Sequence, residues 1–287
     1  MAGFRSVKKY TDAWEAGRFY TSHFRKAPAT AGSTTCWVDY SMYGGGPPAN
    51  YYASSPLVAA TLDGTTGFYH GDNKSPARKY LTHFGMAGNN NNNRGARILQ
   101  DYLLYYPFID CDDLTAQTMT NTTTLPRYTD GAGVMVMAVC VSPSVGNGAF
   151  TFEYVNQSGV TKTSPTQLCQ GSGNAATIST LIAGPQDNAS AFNYLTLAAG
   201  DSGVRQINSV TFSVANGGLM CMVLVKPLCT LNIREGSCAA EVELVTHVAG
   251  PPRIYDGAYL SLIHQQQISQ TSTFMAGWLN FIWDEGT

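Results

Sequence analysis

The runs VMVMAVCVS at 134–142 and AFTFEYVN at 149–156 decide how this 287-residue chain is read. The first is apolar throughout and rich in Val. The second places Phe150, Phe152 and Tyr154 at every other position, the period of a strand with one dry face and one wet face. Outward from these, similar runs occupy 176–182, 192–198, 207–214, 219–226, 228–233 and 240–248, where Val242, Leu244 and Thr246 alternate in the same way. The separators SPSVGNG, QGSGN, GPQDN, AGDSG, NGG and REGS are turn sequences. No helical crossover intervenes, so the expectation is a mainly β fold: an antiparallel β-sandwich, jelly-roll-like or immunoglobulin-like, within 133–248. Its expected core includes Val136, Cys140, Phe152, Leu195, Phe212, Met222 and Leu224.

Before this body the chain changes character. Residues 27–93 are dense in Gly, Pro, Ser, Thr and Asn, as in GGGPPAN at 44–50, HGDNKSP at 70–76 and GNNNNN at 88–93. The same stretch carries Trp37, Tyr40, Tyr43, Tyr51, Tyr52, Phe68, Tyr69, Tyr80 and Phe84, which a disordered linker would lack. Residues 1–93 are therefore expected to be an extended, loop-rich arm whose aromatics bury area elsewhere. Within it a short helix is possible from Val7 to Ala16, ended by Gly17 and followed by Phe19, Tyr20 and Phe24. Over 94–106, Ile98, Leu99, Tyr102, Leu103 and Tyr106 recur at intervals that predict a helix, stopped by Pro107; residues 94–132 are read as that helix and a connector. Residues 249–287 form an apolar tail ending in Phe274, Trp278, Phe281 and Trp283, expected to dock on the sandwich or on a neighbour.

The charged fraction is 13%, about half of the usual ~25%, which excludes a coiled coil and a charge-rich disordered chain. A formal net charge of −2 offers no overall attraction to nucleic acid or anionic lipid. Residues 1–97 carry 11 Lys/Arg against 5 Asp/Glu, whereas the remainder carries 6 against 14, so a basic arm could lie on an acidic neighbouring surface. No run approaches ~18 apolar residues and the start lacks an apolar signal core, so a soluble, unexported chain is expected. Seven scattered cysteines without a CxxC pair exclude a zinc knuckle, and Cys140 and Cys221 sit in apolar runs as small hydrophobes.

Catalytic and metal motifs are weak. His70, Asp72 and His83 could form a mixed imidazole and carboxylate site, but surface histidines in polar turns are commoner. Asp110, Asp112 and Asp113 lack the glycine and distal glutamate of a calcium loop. GDSG at 200–203 reads as a β-turn, since the histidine context of a serine protease is missing. Glu153, Glu241 and Glu243 lie on expected solvent faces of strands, which weighs against glycosidase carboxylates. No nucleophile, base and orienter set is found around His247 or His264, and the expectation is a chain with no enzyme activity, no cofactor and no metal.

Low charge, an aromatic extended segment (1–93), an antiparallel body (133–248) and an apolar tail resemble virion structural proteins of tailed bacteriophages, particularly capsid cement or decoration proteins with jelly-roll-like bodies. The absence of a long spine helix speaks against the major capsid protein itself. The resemblance implies a homo-oligomeric structural subunit, localised in the virion after synthesis in the host cytoplasm. It would contact other copies and other virion proteins such as a major capsid protein, with no membrane or nucleic-acid partner. A neck, tail or receptor-binding virion protein is the alternative, and a carbohydrate-active enzyme the less favoured one. Candidate assembly contacts are Trp14, Phe19, Tyr20, Trp37, Tyr40, Tyr43, Tyr51, Tyr52, Trp278 and Trp283. On this reading, removal of residues 1–50 leaves the sandwich folded.

Overall fold

In a computed structural model of the chain, the described residues are 4, 6–27, 36–62, 64–89, 93–143, 146, 148–169, 178–184, 193–246, 250–266 and 274–285. One α-helix, Val7–Glu15 (α1), opens the fold; the Ser6 hydroxyl caps it by accepting from Lys9 N–H, and Gly17, with φ +69°, turns the chain out of it. The strands of the first half are Phe19–Lys26 (β1), Trp37–Asp39 (β2), Gly45–Gly46 (β3), Ala60–Thr61 (β4), Lys79–Gly88 (β5), Gly95–Asp110 (β6) and Gln117–Thr118 (β7). Those of the body are Met135–Ser142 (β8), Ala149–Asn156 (β9), Thr161–Thr163 (β10), Gln167–Cys169 (β11), Ala183–Gly184 (β12), Val204–Phe212 (β13) and Leu219–Ile233 (β14). Ala240–Glu243 (β15), Arg253–Ile254 (β16), Tyr259–Gln265 (β17) and Met275–Trp283 (β18) complete the chain.

The fold is mainly β, and its strand ladders are antiparallel, as expected of a sandwich. They form three sheets. The central one runs β2-β17-β6-β14-β8, with β4 on β6. One flanking sheet runs β12-β11-β9-β13-β7, with β10 on β9; the other runs β15-β5-β18-β1-β3, with β16 on β5. Strands β6 and β14 pair from Leu219 opposite Asp110 to Ile233 opposite Gly95, long enough to carry a different flanking sheet at each end.

Alternation along β14 sorts its side chains. Met220, Met222 and Leu224 join Phe150, Phe152, Tyr154, Ile207, Val210 and Phe212 in one core. Farther along, Leu231 and Ile233 meet Phe24, Leu81, Phe84, Leu279 and Phe281 in a second. Cys221, Val223 and Val225 face the opposite way, into a third core with Trp37, Tyr102, Tyr105, Val139 and Ile263. Residues 179–182 enclose this third core by joining the two edges of the central sheet. Leu181 N–H donates to Trp37 O on β2 (2.9 Å), and Ile182 N–H donates to Ala138 O on β8 (3.0 Å). All seven expected core residues are buried.

Two expectations are corrected. Residues 95–110 form strand β6, where the spacing over 94–106 predicts a helix. Buried on both faces, β6 loses the alternation that marks a half-exposed strand. A ladder irregularity opposite Leu224 and Val225 then places Tyr102 and Tyr105 on the same face, three residues apart, which imitates helical spacing. Pro107 lies beside a second such irregularity, where the ladder lacks a bond for it to break. Nor are residues 1–93 a separate arm with the sandwich confined to 133–248. Strand β1 pairs along its whole length with β18, β2 pairs with β17, and β5 lies between β15 and β18. Phe24, Val38, Tyr40 and Tyr43 are residues of the second core, so deleting residues 1–50 removes three strands and part of a core instead of a dispensable segment. The segment 249–287 supplies β16, β17 and β18 to the chain's own sheets.

Where the first and second cores meet, Asp101 on β6 accepts two 2.8 Å bonds from the Arg127 guanidinium and one from Tyr259 N–H. Both side chains of the ion pair are nearly sequestered from solvent. Removing one partner of such a buried pair typically costs ~3–5 kcal/mol, because the other charge is left uncompensated. Arg127→Met should therefore lower unfolding free energy by about that amount in a denaturant titration, and Asp101→Leu/Arg127→Met should recover most of it.

Candidate functional site

Among the described residues, several solvent-facing aromatics gather where α1 leads into β1. Trp14, 51% exposed, stacks on Phe19, 40% exposed, with ring centroids 4.0 Å apart and planes at 14°. The next residue, Tyr20, points to the other face of β1 and meets Tyr69 edge-on at 5.6 Å. Trp283, on the neighbouring strand β18, has Lys74 Nζ 4.3 Å from its ring centre. The strand ladder holds this rim in place: Phe19 is opposite Ile282 and Tyr20 opposite Phe281.

Beside the rim lies an open groove of about 580 Å³, lined by Gly64, Thr65, Gly67, Tyr69, His70, Gly71, Asp72, Asn73 and Gly257. Gly67 has to be glycine, since a Cβ there would come within 2.9 Å of Leu260 N. Two buried groups anchor the groove wall. Lys79 Nζ donates to His70 Nδ1 (2.9 Å), Asp72 O (2.9 Å) and Gly71 O (3.3 Å). His70 Nε2–H in turn donates to Ala258 O at 3.1 Å, so the geometry fits a neutral imidazole. Burial, helped by the neighbouring Lys79 cation, pulls the His70 pKa down to about 4, and burial lowers Lys79 to about 8.

The ten candidate contact residues divide. Trp14, Phe19, Tyr20 and Tyr51 are exposed, and Trp278 and Trp283 are half-buried. Trp37, Tyr40, Tyr43 and Tyr52 are buried in the chain's own cores, so they offer nothing to a neighbour. For Tyr43 and Tyr52, sequence reasoning had no signal for the reason: polar contacts inside the central sheet that use their hydroxyls. Asp39 Oδ1 accepts from Tyr102 at 2.6 Å, its other oxygen accepts from Tyr52 and from Ser41 Oγ (2.7 Å), and Tyr43 bonds Ser179 Oγ at 2.8 Å. Burial pushes the Asp39 carboxyl up, and the hydroxyls of Tyr102, Tyr52 and Ser41 pull against it.

The motifs weighed for chemistry are scattered. His70 is committed to Lys79 and Ala258, His83 pairs with Glu241 at 3.3 Å, and Asp72 accepts from Tyr69. The Asp110 and Asp113 carboxylates accept from the N–H of Asp112 and Thr115 within turns, and Asp112 accepts from the distant Gly217 N–H. Asp201 of GDSG accepts from Asn156 Nδ2 (2.7 Å) and from Tyr154. His264 sits fully buried between Tyr40 OH and Arg94 O; His247 lies outside the described residues. Among the described residues no three His, Cys, Asp or Glu side chains are placed to hold a metal ion, and no helix is long and apolar enough to cross a membrane.

No family model and no curated protein matches the chain. Among solved structures, the crystal structure of the infectious bursal disease virus VP2 subviral particle aligns at 8% identity, with a TM-score of 0.17 over 92% of this chain and 80% of that one. A likeness of that strength supports no argument about fold or function.

The buried His70 is expected to make the fold sensitive to acid. Its folded pKa of about 4 lies below the usual 6.5, so between those values the unfolded chain binds a proton that the folded chain does not. Stability from this group is present above pH 6.5 and is lost as pH falls to 4. In urea titrations across this range, His70→Gln should lower stability at pH 7 and flatten the pH slope; a slope parallel to the parent would refute the assignment.

Proposed function

We propose that the chain is a non-enzymatic structural subunit of a viral particle, of the capsid cement or decoration type, which binds other copies of itself and other virion proteins such as a major capsid protein. The observation that carries this reading is the rim of Trp14, Phe19, Tyr20 and Tyr69. These four large aromatics are between 36% and 54% exposed and flank the start of β1, Trp14 with Phe19 on one face and Tyr20 with Tyr69 on the other, on a chain with only 13% charged residues. Each such side chain removes about 150–250 Å² from water when covered, so a neighbour seated on the rim gains a contact that an isolated soluble monomer has no use for. The titratable groups support the same reading: the buried ones described above are spent on holding loops and joining cores.

Quantitative mass spectrometry of purified particles tests the proposal. The expected result is this chain at a fixed, multi-copy ratio to the major capsid protein. Trp14→Ser/Phe19→Ser should fold with an unchanged circular dichroism spectrum and incorporate at least tenfold less. Trace amounts of the parent chain in clean particles would overturn the reading.

A further inference from the structure

A sheet edge is a row of unpaired amides and carbonyls, and folds usually close it, shorten it or guard it with charge. The central sheet joins its two edges through residues 179–182. The sheet containing β9 ends in strands of two or three residues, β7, β10 and β12. In the sheet containing β5, the β15 edge is four residues long and carries Glu241 and Glu243. The opposite edge differs. Strand β1 runs eight residues, but β3 covers only Arg25 and Lys26, so residues 19–24 have no further strand beside them among the described residues. Their sequence, FYTSHF, has no proline and no lysine, and its ladder with β18 has no bulge. The nearby Arg18 is paired with Glu285 at 3.3 Å, and Arg25 lies 4.5 Å over the Phe274 ring, so these charges are engaged.

The phase of the free groups follows from the ladder. Trp283 N–H donates to Arg18 O at 3.1 Å, which makes residues 18 and 283 a hydrogen-bonded pair. By alternation, residues 20, 22 and 24 use their amides and carbonyls on β18, whereas Phe19, Thr21 and His23 turn theirs to the open edge. The covered end obeys the same phase, since Ala27 N–H donates to Gly44 O at 2.9 Å.

We propose that a second copy of this chain adds its own β1 to this edge, antiparallel, about a twofold axis at Thr21. The inference rests on the particle reading and names one of the contacts it needs. The open stretch is bounded by Gly17, where the chain turns away with φ +69°, and by Arg25, where β3 begins; Thr21 is equidistant from both. About that axis Phe19 stands opposite the partner's His23, Thr21 opposite the partner's Thr21, and Tyr20 opposite the partner's Ser22. The outward amides and carbonyls of Phe19, Thr21 and His23 then all find backbone partners, and like residues meet only at a threonine pair, which suits cross-strand packing. Trp14, stacked on Phe19, widens the contact. Such an isologous pairing closes on itself, so it links two copies without seeding a fibre.

Analytical ultracentrifugation of the isolated chain tests this. The parent should be a reversible dimer at micromolar concentration. Thr21→Lys, which sets two ammonium groups across the axis, should weaken it at least tenfold with an unchanged circular dichroism spectrum. Thr21→Pro should do the same, because the lost N–H points to the open edge and not to β18. In a Cys238→Ser background, Thr21→Cys should form an interchain disulfide on mild oxidation, whereas His23→Cys, which lies opposite Phe19, should not. A parent that stays monomeric to about 100 μM overturns the pairing, as does a dimer untouched by both variants or a cross-link that forms equally at position 23. A monomeric chain that is abundant in particles removes this edge and leaves the particle reading standing; a dimeric chain absent from particles does the reverse.

Discussion

Strands β6 and β14 have to serve three cores at once, and the rest of the fold is arranged around that demand. A strand presents two faces, so their ladder can supply two layers anywhere along its length, and a third only by changing which sheet covers one face partway along. The change falls at Asp101. On one side of it Leu99 belongs to the core shared with β5 and β18; on the other, Leu103 and Tyr106 belong to the core shared with β9 and β13. A carboxylate at such a junction is tolerable only with its charge fully matched, which is what Arg127 and the Tyr259 amide provide. The ladder's register shifts fall between Met220 and Met222, Leu224 and Val225, and Pro227 and Cys229, so the strands bend as they pass from one partner sheet to the other.

Packing so many irregular segments against these sheets raises a second constraint, because backbone carbonyls away from water need donors. Buried cations supply several. Lys26 Nζ donates to the carbonyls of Tyr43, Pro47 and Pro48 at 3.0, 3.0 and 3.3 Å, holding the GGGPP stretch. Lys79 holds the HGD turn, and Arg97 reaches Asn93 O at 2.5 Å and Gly95 O at 2.9 Å. Burial lowers the two lysines to about 8 and Arg97 to about 10, so each is still a cation at neutral pH. Long Gly- and Pro-rich stretches can thus be ordered without regular secondary structure, provided a single ammonium or guanidinium collects several of their carbonyls.

These two constraints explain what could be read from the sequence. Where a strand has one wet face, as at Phe150, Phe152 and Tyr154, the alternation is visible and the burial pattern of β9 repeats it. The short helix was legible as well, from the run after Ser6 to the stop at Gly17. Where a strand is dry on both faces and bulged, as over 94–106, the periodic signal is destroyed and a helical spacing appears in its place. The aromatics of 37–52 announced that they needed burial, but nothing local told whether a neighbour or the same chain would provide it. That answer lay in long-range partners: Asp39 with Tyr102, Tyr43 with Ser179, and β2 with β17. The exposed rim was legible only as composition, since Trp14, Phe19 and Tyr20 look no different in sequence from Trp37, Tyr40 and Tyr43.

The distribution of edge protection adds a last step. Among the described residues most sheet edges are protected: by closure in the central sheet, by short terminal strands in one flanking sheet and by glutamates at β15. Along β1 that protection lapses, because the exposed Phe19 and Tyr20 lie on a strand whose Phe19, Thr21 and His23 amides face no further strand among the described residues. A single lysine at position 21 or 23 would have guarded the strand at little cost to the ladder with β18, whose bonds come from the alternate residues. Open backbone and exposed aromatics coincide on this one short strand, and β-strand addition is the contact chemistry that would satisfy both at once.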